Sequence, residues 1–199
     1  MSSSPLRLNR IATRTLLIFS FILQGSLSSR LPNKNAETVI SSWPPSHFDT
    51  VGDALMLNPF LSILRRAINA TSLYQDLNDP SLTYTILAPT NQAFGDLLYK
   101  LDMTERELIE DTELLMKVLK FHVIPKSALK ADDIRDNAKY ETLLQDQFVT
   151  FFRESFFFFT KITVQGSDPK SNPAMVIFPD VSAAKSIIHI INKVVLPEL

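Results

Sequence analysis

Polar and apolar residues alternate along a short stretch near the middle of the chain. Residues 83–86 are threonine, tyrosine, threonine and isoleucine, a pattern typical of a half-buried β-strand. Pro89 has no amide hydrogen for a sheet ladder, so this strand is predicted to end at Ala88. Thr90 can cap a following helix, whose buried face would begin near Phe94. The pattern therefore predicts one strand that leads through a tight corner into one amphipathic helix.

Further helix starts are marked by capping residues. Asn58 precedes a proline, Thr104 and Glu107 have the spacing of a capping box, and Asp111 precedes a longer apolar pattern. An earlier helix has apolar spacing at Val51, Leu55 and Met56. The helix after Asn58 is predicted to bury Phe60, Leu64, Ala67 and Ile68, and the one after Asp111 to bury Leu115, Val118, Leu119 and His122.

The last third of the chain has the pattern of a sheet. Four consecutive phenylalanines, Phe156–Phe159, lead into an alternating segment that ends at Gln165. Because four phenylalanines leave no polar face, we predict that this strand is covered on both sides or lies against another surface. Further strands are predicted at residues 148–152, 175–178 and 187–196. Helices followed by strands predict an α+β fold, a β-rich wedge or sandwich decorated by several short helices.

Composition and charge exclude several classes of protein. Hydrophobic residues make up 45% of the chain and the formal net charge is −1, which favours a globular domain over a disordered segment and excludes a nucleic-acid partner. Cysteine is absent, so disulfides, thiolate metal sites and thiol catalysis are excluded.

The N-terminal segment has the layout of a secretory signal peptide. Arg7, Arg10 and Arg14 precede the apolar run 16–23, and small residues follow up to Ser29. The run is shorter than the roughly 18–20 residues that span a bilayer, so we expect cleavage near Ser28. An uncleaved signal anchor and an organelle transit peptide stay open, because the first 36 residues carry no acid.

These observations divide the chain into three parts: a signal peptide at 1–28, a polar linker at 29–47 and a folded domain at 48–199. Asn69 begins the chain's single Asn-x-Thr acceptor pattern, in a predicted loop past a helix end. If the chain is secreted, the pattern predicts a glycan on Asn69.

Three stretches resemble conserved blocks of the fasciclin domain. Residues 83–94 are similar to the first block, T-x-F-A-P-T-[ND]-x-A-F, and residues 186–197 to the second, N-G-x-I-H-x-I-[DN]-x-V-L-x-P. Between them, residues 119–125 are similar to L-x-[YF]-H-V-[IV]-P. The resemblance runs from about Phe48 to Leu199. Lys185 and Ser186 stand where the family usually has Asn-Gly, so that turn is expected to differ.

The resemblance implies a function without catalysis. It implies a secreted binding or cell-adhesion module of the extracellular matrix or cell wall, with an extracellular protein or polysaccharide as partner. Phe121 and His122 match the aromatic-His pair that is implicated in integrin-dependent adhesion by animal relatives, and they form the candidate adhesion motif. Phe121 lacks the usual tyrosine hydroxyl, which favours packing over direct contact.

The residues themselves indicate no enzyme, metal or cofactor. His47, His122 and His189 are scattered without metal-ligand spacing. Asp132 and Asp133 are predicted to be solvated charges rather than a catalytic dyad. A histidine on an apolar helix face is more often a neutral core residue than a ligand or a base. A hydrolase would need a Ser or Asp nucleophile beside His122.

A second function of a different class is a carrier of an apolar, carotenoid-like molecule. Some algal relatives bind carotenoids, and this chain has 14 phenylalanines, although those residues can equally form a core. Because the chain stops at Leu199 without an apolar tail, neither a lipid anchor nor a stable membrane span is expected. Its layout is closest to a short, single-domain plant or algal member of the family.

Overall fold

Two strands from distant parts of the sequence lie side by side in the sheet. The structure is a computed structural model that describes residues 47–168 and 172–198. Strand β1 (Tyr84–Pro89) pairs in parallel with β7 (Ser186–Ile191), and Thr85 lies opposite Ile187. Every residue of both strands is buried, so β1 is covered on both faces rather than half-buried. The first and last fasciclin-like blocks therefore meet in the sheet.

The remaining strands extend this pair into a seven-stranded sheet. They are β2 (Val123–Pro125), β3 (Ala138–Glu141), β4 (Phe148–Ser155), β5 (Thr160–Gln165) and β6 (Ala174–Ala183). The order is β2-β1-β7-β6-β5-β4-β3, and every pair except β1 with β7 is antiparallel. The Leu143 amide donates to the Val123 carbonyl at 2.7 Å. This bond joins the segment after β3 to β2, so the sheet is nearly closed.

Short helices complete the mixed α+β fold, which confirms the predicted fold class. Within the described residues they are α1 (Val51–Leu57), α2 (Ser62–Asn69), α3 (Leu73–Leu77), α4 (Asn91–Leu101), α5 (Glu105–Glu110) and α6 (Thr112–Phe121). A 3-10 turn, Pro59–Leu61, separates α1 from α2.

The predicted helix caps are present. The Thr90 hydroxyl accepts from the Ala93 amide at 3.2 Å, and the Asp111 carboxylate accepts from the Leu114 amide at 3.0 Å. Thr104 and Glu107 form the predicted capping box. These bonds satisfy helix-end amides that would otherwise lack a partner.

Further expectations about buried surfaces and strand ends are wrong. Phe156–Phe159 form an exposed turn between β4 and β5 instead of a covered strand. Phe60 lies in the 3-10 turn and is exposed, whereas its neighbour Leu61 is buried. The 3-10 turn shifts the helix face at this point, because its period differs from that of an α-helix. The last strand ends at Ile191 rather than near Leu196.

The main core lies between the sheet and the segments that follow α6. Phe121, Phe151, Val149 and Leu87 pack there with Ile191. The Tyr140 ring meets Phe151 edge-on at a centroid distance of 5.6 Å, the geometry that aromatic pairs prefer. The core therefore joins α6, both halves of the sheet and the C-terminal tail.

Gly166 and Gly95 provide a matched test of how the C-terminal tail is packed. A Cβ on Gly166 would collide with the Leu196 carbonyl oxygen, whereas a Cβ on Gly95 meets nothing within 4 Å. Gly166→Ala is expected to cost about 1–3 kcal/mol of folding free energy, because tail backbone must move. Gly95→Ala is expected to stabilise the exposed face of α4 by about 0.5–1 kcal/mol. Urea unfolding measures both changes, and shifts of the same sign would contradict this packing.

Candidate functional site

The candidate adhesion motif lies at the junction of α6 and β2. Phe121 is the last residue of α6 and is completely buried in the main core. His122 caps the helix and is also buried. In this conformation neither side chain reaches the protein surface, so the pair packs the interior. Its adhesive role stays a prediction.

His122 connects three parts of the fold through hydrogen bonds. Its ring Nδ1 lies 2.7 Å from the Val118 carbonyl, and its Nε2 accepts from the Val195 amide at 3.0 Å. Since the carbonyl can only accept, Nδ1 carries the hydrogen and the ring is neutral. The His122 carbonyl accepts from the Leu87 amide at 2.9 Å. One residue therefore ties α6, β1 and the C-terminal tail together.

The environment of His122 opposes protonation. Burial lowers the pKa of His122 to about 4, although its hydrogen bond to the Val118 carbonyl acts in the opposite direction. Both ring nitrogens are engaged by backbone groups, and no Ser or Asp side chain bonds to the ring within the described residues. The ring is therefore placed as a structural residue rather than as the base of a hydrolase.

The other two histidines lie elsewhere. His189 is buried in β7, where its Nε2 donates to the Leu129 carbonyl at 2.9 Å and its Nδ1 accepts from the Asp180 amide. Burial lowers the pKa of His189. His47 is exposed. Among residues 47–168 and 172–198, no group of three or more His or acidic side chains could hold a metal ion.

Asn69 is the last residue of α2 and is exposed. The Thr71 hydroxyl of the acceptor pattern donates to the Ile68 carbonyl at 2.9 Å. The pattern therefore begins in the last turn of the helix instead of in the predicted loop, and the Asn69 side chain is exposed there. The predicted signal peptide and nearly all of the predicted linker lie outside the described residues.

An exposed apolar surface lies where α1 meets α2. Met56, Leu57 and Phe60 are each more than half exposed, and the Arg65 guanidinium lies 3.4 Å from the Met56 carbonyl and 3.8 Å from its sulfur. We call these four residues the junction patch. The sequence pattern counted Met56 and Phe60 toward the interior. The Asn58-Pro59 break was the available signal, since a helix that restarts there need not keep the same face inward.

Two of the cavities among the described residues are lined partly by charged side chains. One of about 250 Å³ between β5 and β6 is lined partly by Asp132 and Arg153, and a larger one of about 650 Å³ includes Lys161 and Glu154. Both open to solvent and present charges, whereas ligand sites for apolar molecules are mostly apolar and enclosed. None of the helices in the described part of the chain is long and apolar enough to cross a membrane.

A nearly closed seven-stranded sheet, short helices and a buried, neutral histidine at the α6 end define a small mixed α+β domain. A fasciclin domain model matches residues 59–197. The chain belongs to the fasciclin domain family. Fasciclin domains are typically non-catalytic binding modules.

Two relatives with similar sequences are bacterial proteins. Protein sll1483 of Synechocystis is 26% identical over 190 residues, which cover 95% of this chain and 96% of that protein. Immunogenic protein MPT70 of Mycobacterium tuberculosis is 30% identical over 154 residues, which cover 75% of this chain and 69% of that protein. These relatives lend no support to the expectation of a plant or algal member.

A solved structure has the same fold. It is a FAS1 domain pair from the insect cell adhesion molecule Fasciclin I, with a TM-score of 0.54 and 28% sequence identity. The match covers 67% of this chain and 44% of that chain. The described domain therefore corresponds to less than half of the solved pair.

Proposed function

We propose that the protein is a secreted, non-catalytic adhesion module of the extracellular matrix or cell wall, and that its partner is an extracellular protein. The likeness to a domain pair of an insect cell adhesion molecule carries this proposal. Membership of a family whose domains typically bind other molecules without catalysis supports it.

The junction patch is the proposed contact surface. Methionine, aromatic residues and arginine are enriched at protein interfaces, and the patch combines Met56, Phe60 and Arg65. Its apolar side chains are exposed without being needed for the core, so a partner can cover them. The side chains of Phe121 and His122 are buried and pack the interior, so the proposed contact surface does not use them.

A glycan added to Asn69 during secretion would lie near the junction patch. Arg65 and Asn69 are four residues apart in α2, so their side chains lie on the same face of the helix. A glycan on Asn69 would then stand one turn from Arg65 and limit how a partner approaches the junction patch. The partner is expected to approach from the Met56 and Phe60 side.

The test uses the full chain produced in a secretory eukaryotic host. Mass spectrometry of the secreted protein is expected to show a new N-terminus near Ser28 and added mass on Asn69. Surfaces coated with this protein are expected to retain cells of the organism that naturally produces it. The double change Leu57→Ser and Phe60→Ser is expected to reduce that retention roughly tenfold or more, which is the effect of losing interface hot spots.

Tyr99→Ser is the matched control, because Tyr99 is an aromatic residue exposed on α4, outside the patch. It is expected to retain cells as well as the wild type does. Equal retention by the patch variant and the wild type would contradict the proposed surface. If the coated surfaces retain purified wall polysaccharide but neither cells nor matrix protein, the proposed protein partner is wrong and the partner is a carbohydrate.

A further inference from the structure

The turn that joins β4 to β5 exposes four consecutive phenylalanines, which we call the Phe turn. Phe157 is 100% exposed and Phe158 is 97% exposed, while Phe156 and Phe159 are 51% and 62% exposed. Large apolar side chains at this level of exposure are unfavourable in water. A contiguous patch of this kind indicates an interaction site. The function proposed above makes no use of it.

The Phe turn is held in shape by its own contacts. The Phe156 amide donates to the Phe159 carbonyl at 2.8 Å, which closes the turn. The Phe156 and Phe159 rings stack at 4.7 Å with an angle of 22° between them, and the Phe157 and Phe158 rings lie 6.3 Å apart. Because these contacts fix the base of the turn, less backbone freedom is lost when the turn binds.

Paired charges form a collar behind the tip. Glu154 and Lys161 face each other across the β4–β5 ladder, with their charged groups 3.1 Å apart. Arg153 donates to the Ala131, Asp132 and Ile134 carbonyls and pairs with the Asp132 carboxylate at 3.3 Å. These two ion pairs carry no net charge, so the described residues next to the phenylalanines do not form a basic cluster by themselves.

The position of this collar matches a lipid interface. Glu154 lies two residues before Phe156, and Lys161 lies two after Phe159. Two residues of strand span roughly 7 Å. Interfacial elements bury their apolar side chains about 5–10 Å into the boundary between headgroups and acyl chains. The rings can therefore enter the apolar layer while the paired charges stay among the headgroups.

The size and shape of the Phe turn argue against a second protein as the occupant. With about 200 Å² for each phenylalanine, its exposed area is roughly 600 Å², less than the about 800 Å² per partner of an ordinary protein interface. The two tip rings also project from the molecule, so a protein partner would need a matching deep pocket. A bilayer needs no such pocket.

We propose that the Phe turn inserts into the interface of a lipid bilayer and docks the domain on a membrane surface. Binding comes from transfer of the phenylalanine rings out of water, because the charges at the collar are already paired. It is therefore expected to be similar on phosphatidylcholine vesicles and on vesicles that also contain phosphatidylglycerol, and to persist in molar salt.

The test is co-sedimentation of the full secreted chain with phosphatidylcholine vesicles. The double change Phe157→Ser and Phe158→Ser is expected to weaken partition about a hundredfold, roughly tenfold for each ring that no longer leaves water. Phe60→Ser and Tyr99→Ser are the controls and are expected to partition like the wild type. All variants share the same N-terminal segment, so a difference among them reports the Phe turn.

Tryptophan fluorescence tests directly whether the tip of the Phe turn enters the bilayer. Phe157→Trp in a Trp43→Phe background leaves one tryptophan, whose emission is expected to shift to the blue with vesicles and to be quenched by lipids brominated along the acyl chain. Equal vesicle binding by the wild type and the Phe157→Ser, Phe158→Ser variant would overturn the proposal. So would absence of wild-type binding, loss of binding in molar salt, or self-association without vesicles that the same two substitutions abolish.

Discussion

Replacement of Phe121 by alanine is expected to destabilise the domain by about 3–5 kcal/mol, as for other large-to-small changes at buried aromatic positions. Phe121 is fully buried and packs with residues from β1, β4 and β7. Its removal leaves a cavity that several elements cannot fill together, because each is held by its own sheet hydrogen bonds. Urea unfolding followed by far-UV circular dichroism measures the change.

Phe157→Ala is the matched control, since it removes the same side chain from a fully exposed position. It is expected to change the free energy of unfolding by no more than about 0.5 kcal/mol. A loss below about 1 kcal/mol for Phe121→Ala would contradict the core position of this ring. Phe121→Leu keeps most of the buried volume, so cell retention by this folded variant separates a packing role from direct adhesive contact.

Acidification is expected to remove about 3 kcal/mol of stability through His122 alone. The pKa of His122 is about 4 in the folded protein, below its ordinary value of 6.5. Between these two values the unfolded chain binds the proton and the folded protein does not, so folding becomes less favourable as the pH falls. The stability that depends on the neutral His122 ring is fully present above pH 6.5, and it is lost progressively as the pH falls to about 4. Burial of His189 acts in the same direction.

A variant that cannot titrate isolates this effect. The stability difference between wild type and His122→Gln, measured by urea unfolding at several pH values, is expected to shrink by about 3 kcal/mol from pH 7 to pH 4. A constant difference for His122→Gln, or an NMR titration of the His122 ring near pH 6.5, would contradict the buried neutral imidazole.

Much of the local structure follows from short-range chemistry. Thr90, Thr104 and Asp111 begin helices as predicted, because a capping side chain bonds to amides only two or three residues away. The buried face of α6 also follows from the spacing of Leu115, Val118 and their neighbours. These interactions lie within a few residues, so the sequence displays both partners.

Exposure was harder to predict where the chain changes direction. The four phenylalanines had the composition of a covered strand, but they occupy a turn whose tip faces solvent. Phe60 likewise is exposed, because the 3-10 turn directs Leu61 rather than Phe60 into the interior. Hydrophobicity predicts burial only on average. The side of the molecule on which an apolar residue lies depends on the path of the elements around it.

The sequence by itself determined the fasciclin family, the α+β class and most helix starts, because these rest on local patterns and on three ordered blocks. Only the tertiary structure decided what His122 does. Its Nε2 partner, the Val195 amide, is 73 residues away, and the burial that keeps the ring neutral comes from elements distant in sequence. The exposure of the junction patch and of the Phe turn was likewise visible only in the folded structure. Solvent exposure depends on how the whole chain packs and not on any one segment.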